Sequence, residues 1–234
     1  MGKTVQRRLV RKRNLEIALS KVEPHPTPKA YLEQYTIPAN VAAEILYIAA
    51  YVNDDIIGKN VVDLGCGTGR LAIGAAFLGA KETVGIDIDK TAVKLAFKNA
   101  INLGVKDKTS WVVADIDAIH GAFDTVIQNP PFGVQKRKAD RRFLQKSLEI
   151  ACRIYSFHKG ESNKELLKRL KGHETKVVPV QPSAFLKNFI EKRGGKIRAV
   201  YAMVMTIRYM FKFHKKRKHE FLVNLYVIER KGKL

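Results

Sequence analysis

The chain is 234 residues long, 46% hydrophobic and formally +21 at neutral pH, with 43 Lys and Arg against 22 Asp and Glu. That length supports one large domain with a substantial core, while two cysteines, Cys66 and Cys152, are too few for a disulfide framework or a thiolate zinc site. No apolar run reaches membrane-spanning length and none follows the basic amino end, so neither a span nor a secretory leader is expected, and the expected setting is cytoplasmic. A lysine-rich surface explains a two-to-one excess of cations less well than a polyanionic partner does, nucleic acid foremost.

Residues 1–13 carry Lys3, Arg7, Arg8, Arg11, Lys12 and Arg13, as a basic arm or as the start of a helix running through Leu15, Ile17 and Leu19. Pro24, Pro26 and Pro28 break it. After a short mixed segment, Leu32 to Thr36, Pro38 is placed to open a helix whose buried face holds Val41, Ile45, Ile48 and Ala49. Asn60–Leu64 then reads as a strand, followed by the turn Gly65-Cys66-Gly67-Thr68-Gly69 and a helix with Leu71, Ile73, Ala75 and Leu78. A second strand runs from Thr83 to Ile86 and ends at Asp87. A helix from Lys90 to Leu103 follows, with Val93, Ala96, Phe97 and Ala100 on its buried side. Trp111–Ala114, ending at Asp115, and Asp124–Gln128 are the next two strands, and Trp111 is expected to pack in the core. This alternation predicts a doubly wound, largely parallel sheet with helices on both faces.

Later segments are less regular. Phe143–Ala151 reads as a helix, Arg153–Phe157 as a strand ending at His158, and Ser162–Leu170 as a charged helix. Val177–Val180 fits a short strand or an extended crossing, and Pro182-Ser183 opens a helix stopped by Gly194-Gly195. Two long β-like runs, Ile197 to about Tyr209 and Glu220 to Ile228, predict a C-terminal antiparallel hairpin.

Three carboxylates stand at consecutive strand ends. Asp63 opens the glycine turn, whose glycines let backbone approach a ligand at a helix amino end. An acidic residue there suits an ammonium group better than a pyrophosphate. Asp87 can take both hydroxyls of a ribose, and Asp115 can accept from an adenine amine. Each alone could be a capping aspartate; together they describe S-adenosylmethionine, with S-adenosylhomocysteine as product. The fourth strand ends in Asn129-Pro130-Pro131-Phe132. Two prolines remove two donors and force the chain out of the sheet. The Asn129 side-chain oxygen and the Pro130 carbonyl can accept both hydrogens of an exocyclic base amine, turning its lone pair outward, while Phe132 stacks on the base. No strong general base is required, so His158 and His214 are expected to pack or to meet phosphate. Cys66 is expected to be a small buried group.

These residues resemble the Asn-Pro-Pro-Phe class of N6-adenine methyltransferases, and more closely the archaeal and eukaryotic methyltransferase-like 5 family, which modifies an adenosine of small-subunit ribosomal RNA. The resemblance runs from about Leu32 to Ile228. It is carried by Leu32-Glu33-Gln34-Tyr35, Asp63-Leu64-Gly65-Cys66-Gly67, Gly85-Ile86-Asp87-Ile88-Asp89 and Phe123-Asp124-Thr125-Val126-Ile127. Asn129-Pro130-Pro131-Phe132-Gly133, Tyr155-Ser156-Phe157-His158-Lys159 and Lys212-Phe213-His214-Lys215-Lys216 complete it. It implies a Rossmann-like class I methyltransferase fold with a seven-stranded sheet over residues 31–234, behind a basic arm or helix over 1–30, and with 160–182 as an insertion. It also implies that Gln34, Tyr35 and Thr36 line the methionine end of the cofactor. Asp63, Gly65, Cys66 and Gly67 would form its turn, Asp87 with Ile88 would hold the ribose, Asp115 with Ile116 would border the adenine, and Asn129 would meet both cofactor and base. A small zinc-binding activator along the sheet edge is the further implied partner.

Lys136, Arg137, Lys138, Arg141 and Arg142 follow the Asn129 turn, and Lys212, His214, Lys215, Lys216, Arg217 and Lys218 alternate with Phe211 and Phe213 near the hairpin tip. Taken with the amino-terminal arm they are expected to contact RNA. Asn-Pro-Pro turns also serve N4-cytosine and protein-glutamine methylation, and a cofactor-holding RNA-binding or ribosome-assembly factor without turnover is the alternative of another kind.

Overall fold

The computed structural model describes residues 10–132, 139–161, 163–170, 177–208 and 218–232. Two helices precede the sheet, α1 (Lys12–Ser20) and α2 (Ala39–Tyr47), with Pro38 as the residue capping α2. The expected apolar face is buried at Val41 and Ile45 of α2 and at Ile48 and Ala49 of the π-helical turn (Ile48–Val52) that continues it. Alternating units follow: β1 (Asn60–Leu64), α3 (Arg70–Phe77), β2 (Glu82–Asp87), α4 (Lys90–Asn102), β3 (Thr109–Val113), β4 (Phe123–Gln128), α5 (Ala139–Ile150) and β5 (Ala151–Lys159). The chain ends with α6 (Lys164–Leu170), β6 (Val178–Pro179), α7 (Ala184–Glu191) and the long hairpin β7 (Gly195–Arg208) and β8 (Lys218–Arg230).

The strands form one sheet in the order β3-β2-β1-β4-β5-β8-β7-β6. Strands β1 to β5 are mutually parallel, whereas β8 enters antiparallel to β5 and β7 antiparallel to β8. The doubly wound sheet and the C-terminal hairpin are thus as expected. The expected seven strands are joined by an eighth, the two-residue β6, in the segment whose sequence fits a short strand or an extended crossing. Helices cover both faces because the central strands are apolar on both. Val61, Ile127 and Tyr155 face the core shared with α1, α2 and α3, while Val62, Val126 and Ile154 face the core shared with α5 and α7.

One expected core position lies outside it. Phe97 of α4 is 50% exposed, because that helix turns Ala92, Val93, Ala96, Asn99 and Ala100 inward instead. Trp111 is half-buried in a small cluster with Ile73 and Ala100. Its ring lies against bare backbone: a Cβ at Gly85, its register partner in β2, would fall 2.4 Å from Trp111 Cζ3. Gly85→Ala is therefore expected to lower stability by roughly 1–3 kcal/mol through overpacking. Denaturant titration checks this, and shrinking the ring with Trp111→Phe should return part of the loss.

Candidate active site

The strand order reverses between β1 and β4, and a cavity of about 470 Å³ opens at the carboxyl ends of the parallel strands beside this point. Its floor is the glycine turn, where Gly65 and Gly67 have φ of 71° and 53°. A side chain at Gly67 would meet nothing within 4 Å, so the bare backbone faces open space. The loop containing Tyr31 to Ile37 forms one wall, and Ala139, Arg142 and Phe143 of α5 form another.

All of the residues expected at the cofactor come together here. Gln34, Tyr35, Thr36, Asp63, Gly65, Cys66, Gly67, Asp87, Ile88, Asp115, Ile116 and Asn129 all line the cavity, as does Pro131. Asp63 is 1% exposed; its Oδ2 accepts from the Ala72 backbone N–H at 3.0 Å, and its Oδ1 is buried with no partner among the described residues. Burial pushes its pKa up to about 8 against the pull of the Ala72 bond, and the nearby Asp87 charge adds to the rise. Asp87 accepts from Gly67 N and Asp89 N, both at 2.8 Å, which ties the second strand end to the glycine turn. Burial raises its pKa too, the two backbone bonds opposing. Cys66 is 7% exposed and burial pushes its thiol far up, consistent with a packing role.

Asn129 follows the last residue of β4, and its side-chain Oδ1 is buried without a partner among the described residues. Pro130 is buried, whereas Pro131 and Phe132 are half-buried. Phe132 is braced edge-on by Phe221, with ring centroids 5.9 Å apart. Its N–H, the first donor after the two prolines, is donated to the Glu33 carboxylate at 2.6 Å.

Asp115, expected at the adenine, and Arg142, expected at RNA, pair with each other in this structure, and Arg142 also donates from Nε to Asp117 at 2.9 Å. Arg142 is therefore part of the cavity rim. Arg141 stacks its guanidinium over Phe185, 4.2 Å from the ring centroid, and Arg193 does the same over Phe189 at 3.7 Å. Lys136, Arg137, Lys138, Lys212, His214, Lys215, Lys216 and Arg217 lie outside the described residues, as does the side chain of Lys218. His158 is 3% exposed and packs edge-on against Tyr226, so of the two expectations for it the structure supports packing.

Sequence reasoning missed four contributors. Glu33 is 7% exposed, sits at φ 51°, and joins the wall loop to the proline turn. His25, also buried, accepts from Thr27 N at Nδ1 and turns Nε2 toward Asp89 at 3.5 Å. Asp89 in turn accepts from Gln34 Nε2 at 2.9 Å and pairs with Lys29 at 3.1 Å. Burial works against its charge, but the bonds from Gln34 and Lys29 win and hold its pKa down to about 2. Arg70 donates to the carbonyls of Ile37 and Val22, fastening both approaches to α3, and burial lowers its pKa to about 10. Position in the quoted motifs was the available signal for Glu33 and Asp89. His25 between two prolines, and Arg70 just past the glycine turn, offered none.

A glycine turn, acidic strand ends and a cavity at the reversal point of this sheet define a class I, Rossmann-like methyltransferase that works with S-adenosylmethionine. The orphaned Asp63 oxygen and the open face of Gly67 fit that cofactor: one offers an acceptor to an ammonium group, the other room for close approach. Comparison with known proteins narrows the class. The family model for ribosomal protein L11 methyltransferase (PrmA) matches residues 45–130. An uncharacterised protein of Methanocaldococcus jannaschii is 39% identical, over 96% of both chains. The Drosophila melanogaster rRNA N(6)-adenosine-methyltransferase Mettl5 is 32% identical, over 93% of this chain and 95% of its own. A candidate RNA methyltransferase from Pyrococcus horikoshii superposes with a TM-score of 0.79 at 36% identity, over 96% of this chain and all of that one. The chain belongs to the methyltransferase-like 5 family. Among the described residues, no helix is long and apolar enough to cross a membrane.

Proposed function

We propose that this protein transfers a methyl group to the exocyclic N6 amine of an adenosine in small-subunit ribosomal RNA. The observation that carries the reading is the buried, unsatisfied Asn129 Oδ1 at the edge of the cavity, immediately after β4. A buried acceptor left without a donor is costly unless a ligand supplies one. An amine held by Asn129 Oδ1 and the Pro130 carbonyl surrenders both hydrogens to acceptors, and its lone pair then points away from the base plane. Phe132, held by Glu33 and Phe221, offers a fixed ring for the base to stack on. Asp63, Asp87 and Gln34 orient the cofactor, whose contribution when bound is an electrophilic methyl carbon. The residues supply position and polarisation, and no side chain has to remove a proton before transfer.

RNA is the substrate best matched by the +21 charge and by the relatives' activity. Arg141 and Arg142, with the basic segments 136–138 and 212–218, are assigned to it. The guanidinium planes of Arg141 and Arg193, already seated on phenylalanine rings, suit stacking with unpaired bases. A small zinc-binding activator is proposed along the open edge of the sheet at β3, where Val112 and Val113 are 36% and 48% exposed. The setting that goes with such a substrate is cytoplasmic.

Labelled S-adenosylmethionine, presented with small-subunit RNA or with a release factor, tests the reading. The expected result is label in RNA that digests to N6-methyladenosine. Label in N4-methylcytosine or in protein glutamine would overturn the assignment, and tight cofactor binding without transfer to either would point to a non-catalytic factor.

A further inference from the structure

The motif Tyr155 to Lys159 contributes nothing to the cavity lining, yet it holds a line of buried polar side chains directly behind the Asn129 turn. Gln128, the residue before Asn129, is fully buried and donates from Nε2 to Ser156 Oγ at 2.9 Å, across the β4–β5 register pair. Ser156 Oγ meets His158 Nε2 at 2.9 Å. On the far side of the ring, His158 Nδ1 lies 3.6 Å from Asp140 Oδ2. Asp140 is the second residue of α5. The next residues of that turn close the cavity: Arg142 pairs with Asp115 and Asp117, and Phe143 packs against Gly65.

The hydrogen bonds can run in one direction with a neutral ring. Gln128 donates to Ser156, the Ser156 hydroxyl donates to Nε2, and the Nδ1 proton faces the Asp140 carboxylate. An apolar side chain in place of His158 would fill space against Tyr226 but could not reach across to α5. Buried polar groups in a row are unfavourable unless they are paired. Gln128 Oε1 and His158 Nδ1 have no hydrogen-bond partner among the described residues, and the Asp140 carboxylate, at ion-pair distance, is the acceptor that faces Nδ1.

We propose that His158 and Asp140 form a latch that fixes the first turn of α5, and with it Arg142 and Phe143, against the strand presenting Asn129. His158 is a positioning residue, since it touches neither the cavity nor any reacting atom. The inference rests on the proposed reading of Asn129 and the cavity as the methyl-transfer site.

Three single variants and one double variant test it in the full-length protein. His158→Gln keeps a group toward Ser156 and loses the one toward Asp140, His158→Asn does the reverse, and Asp140→Ala removes the other half at a partly exposed position. His158→Gln and Asp140→Ala are expected to reduce kcat by roughly 10- to 100-fold, the penalty for small misplacement of reacting groups. KM for RNA should change far less. His158→Asn should retain most of the rate, and the double variant His158→Gln with Asp140→Ala should be no worse than either single. A readout independent of turnover is amide hydrogen exchange, which should accelerate at residues 140–143 in both disabling variants and stay unchanged in β4 and β5. Unchanged exchange at α5, equal loss in His158→Asn and His158→Gln, or additive losses in the double variant would each overturn the latch. If the wild type itself transferred no methyl group, the site reading would fail instead, and the exchange experiment would still report on the latch.

Discussion

Asn129→Ala is expected to reduce methyl transfer at least roughly 100- to 1,000-fold, the usual loss when one preorganised polar group is removed from a reacting centre. Cofactor affinity should stay nearly unchanged. The asymmetry follows from where the side chain sits. Its Oδ1 is buried and unsatisfied at the cavity edge, so alanine removes an acceptor without breaking any internal hydrogen bond among the described residues. Asp63, Asp87, Gln34 and the glycine turn stand on other elements and keep their bonds to Ala72, Gly67 and Asp89. Single-turnover rates with labelled cofactor, set beside calorimetric affinity for S-adenosylhomocysteine, measure the two effects separately. A variant as active as the wild type would remove Asn129 from the chemistry.

Asp63→Asn should act on the other half of the reaction, weakening cofactor binding roughly 10- to 100-fold through loss of a charge-assisted bond. Its signature is a proton. In the free protein burial raises the Asp63 carboxyl to about 8, which favours its protonated form near neutral pH. A ligand ammonium beside Oδ1 favours the ionised form, so binding expels that proton, and affinity should climb with pH up to about 8 and then level. Calorimetry of S-adenosylhomocysteine in buffers of different ionisation enthalpy should register proton release for the wild type and little for the variant. Without ligand, the folded state binds this proton more tightly than the unfolded chain does. Stability from this group therefore declines as pH rises from the ordinary carboxylate range toward 8, and Asp63→Asn should flatten that slope. A wild type binding with no proton release would show Asp63 to be already ionised, and the proposed electrostatic match would fall.

Much of the site was readable because its parts are signalled locally. Asp63, Asp87 and Asp115 each follow a short apolar run, the glycines mark a turn that ordinary residues avoid, and the proline pair declares where β4 must stop. The contacts among these parts were not readable. Glu33 reaches Phe132 across 99 positions, and Arg142 reaches Asp115 across 27, with no pattern in either neighbourhood to announce the pairing. Phe97 misled for a related reason: an apolar residue on a helix flank reads as core until the neighbouring layer proves too narrow to cover it.

The order of apolar runs, breakers and strand-end carboxylates determined by itself the layered α/β architecture, the C-terminal hairpin and the residues gathered at one end of the sheet. Those features follow from backbone periodicity and short-range sterics, which act within a few residues. Tertiary structure alone decided which oxygens remain without donors, which cations are consumed by internal pairs, and that His158 lies behind the site rather than in it. Such outcomes depend on how layers pack and exclude water, and the burial of a polar group is a property of its surroundings in space.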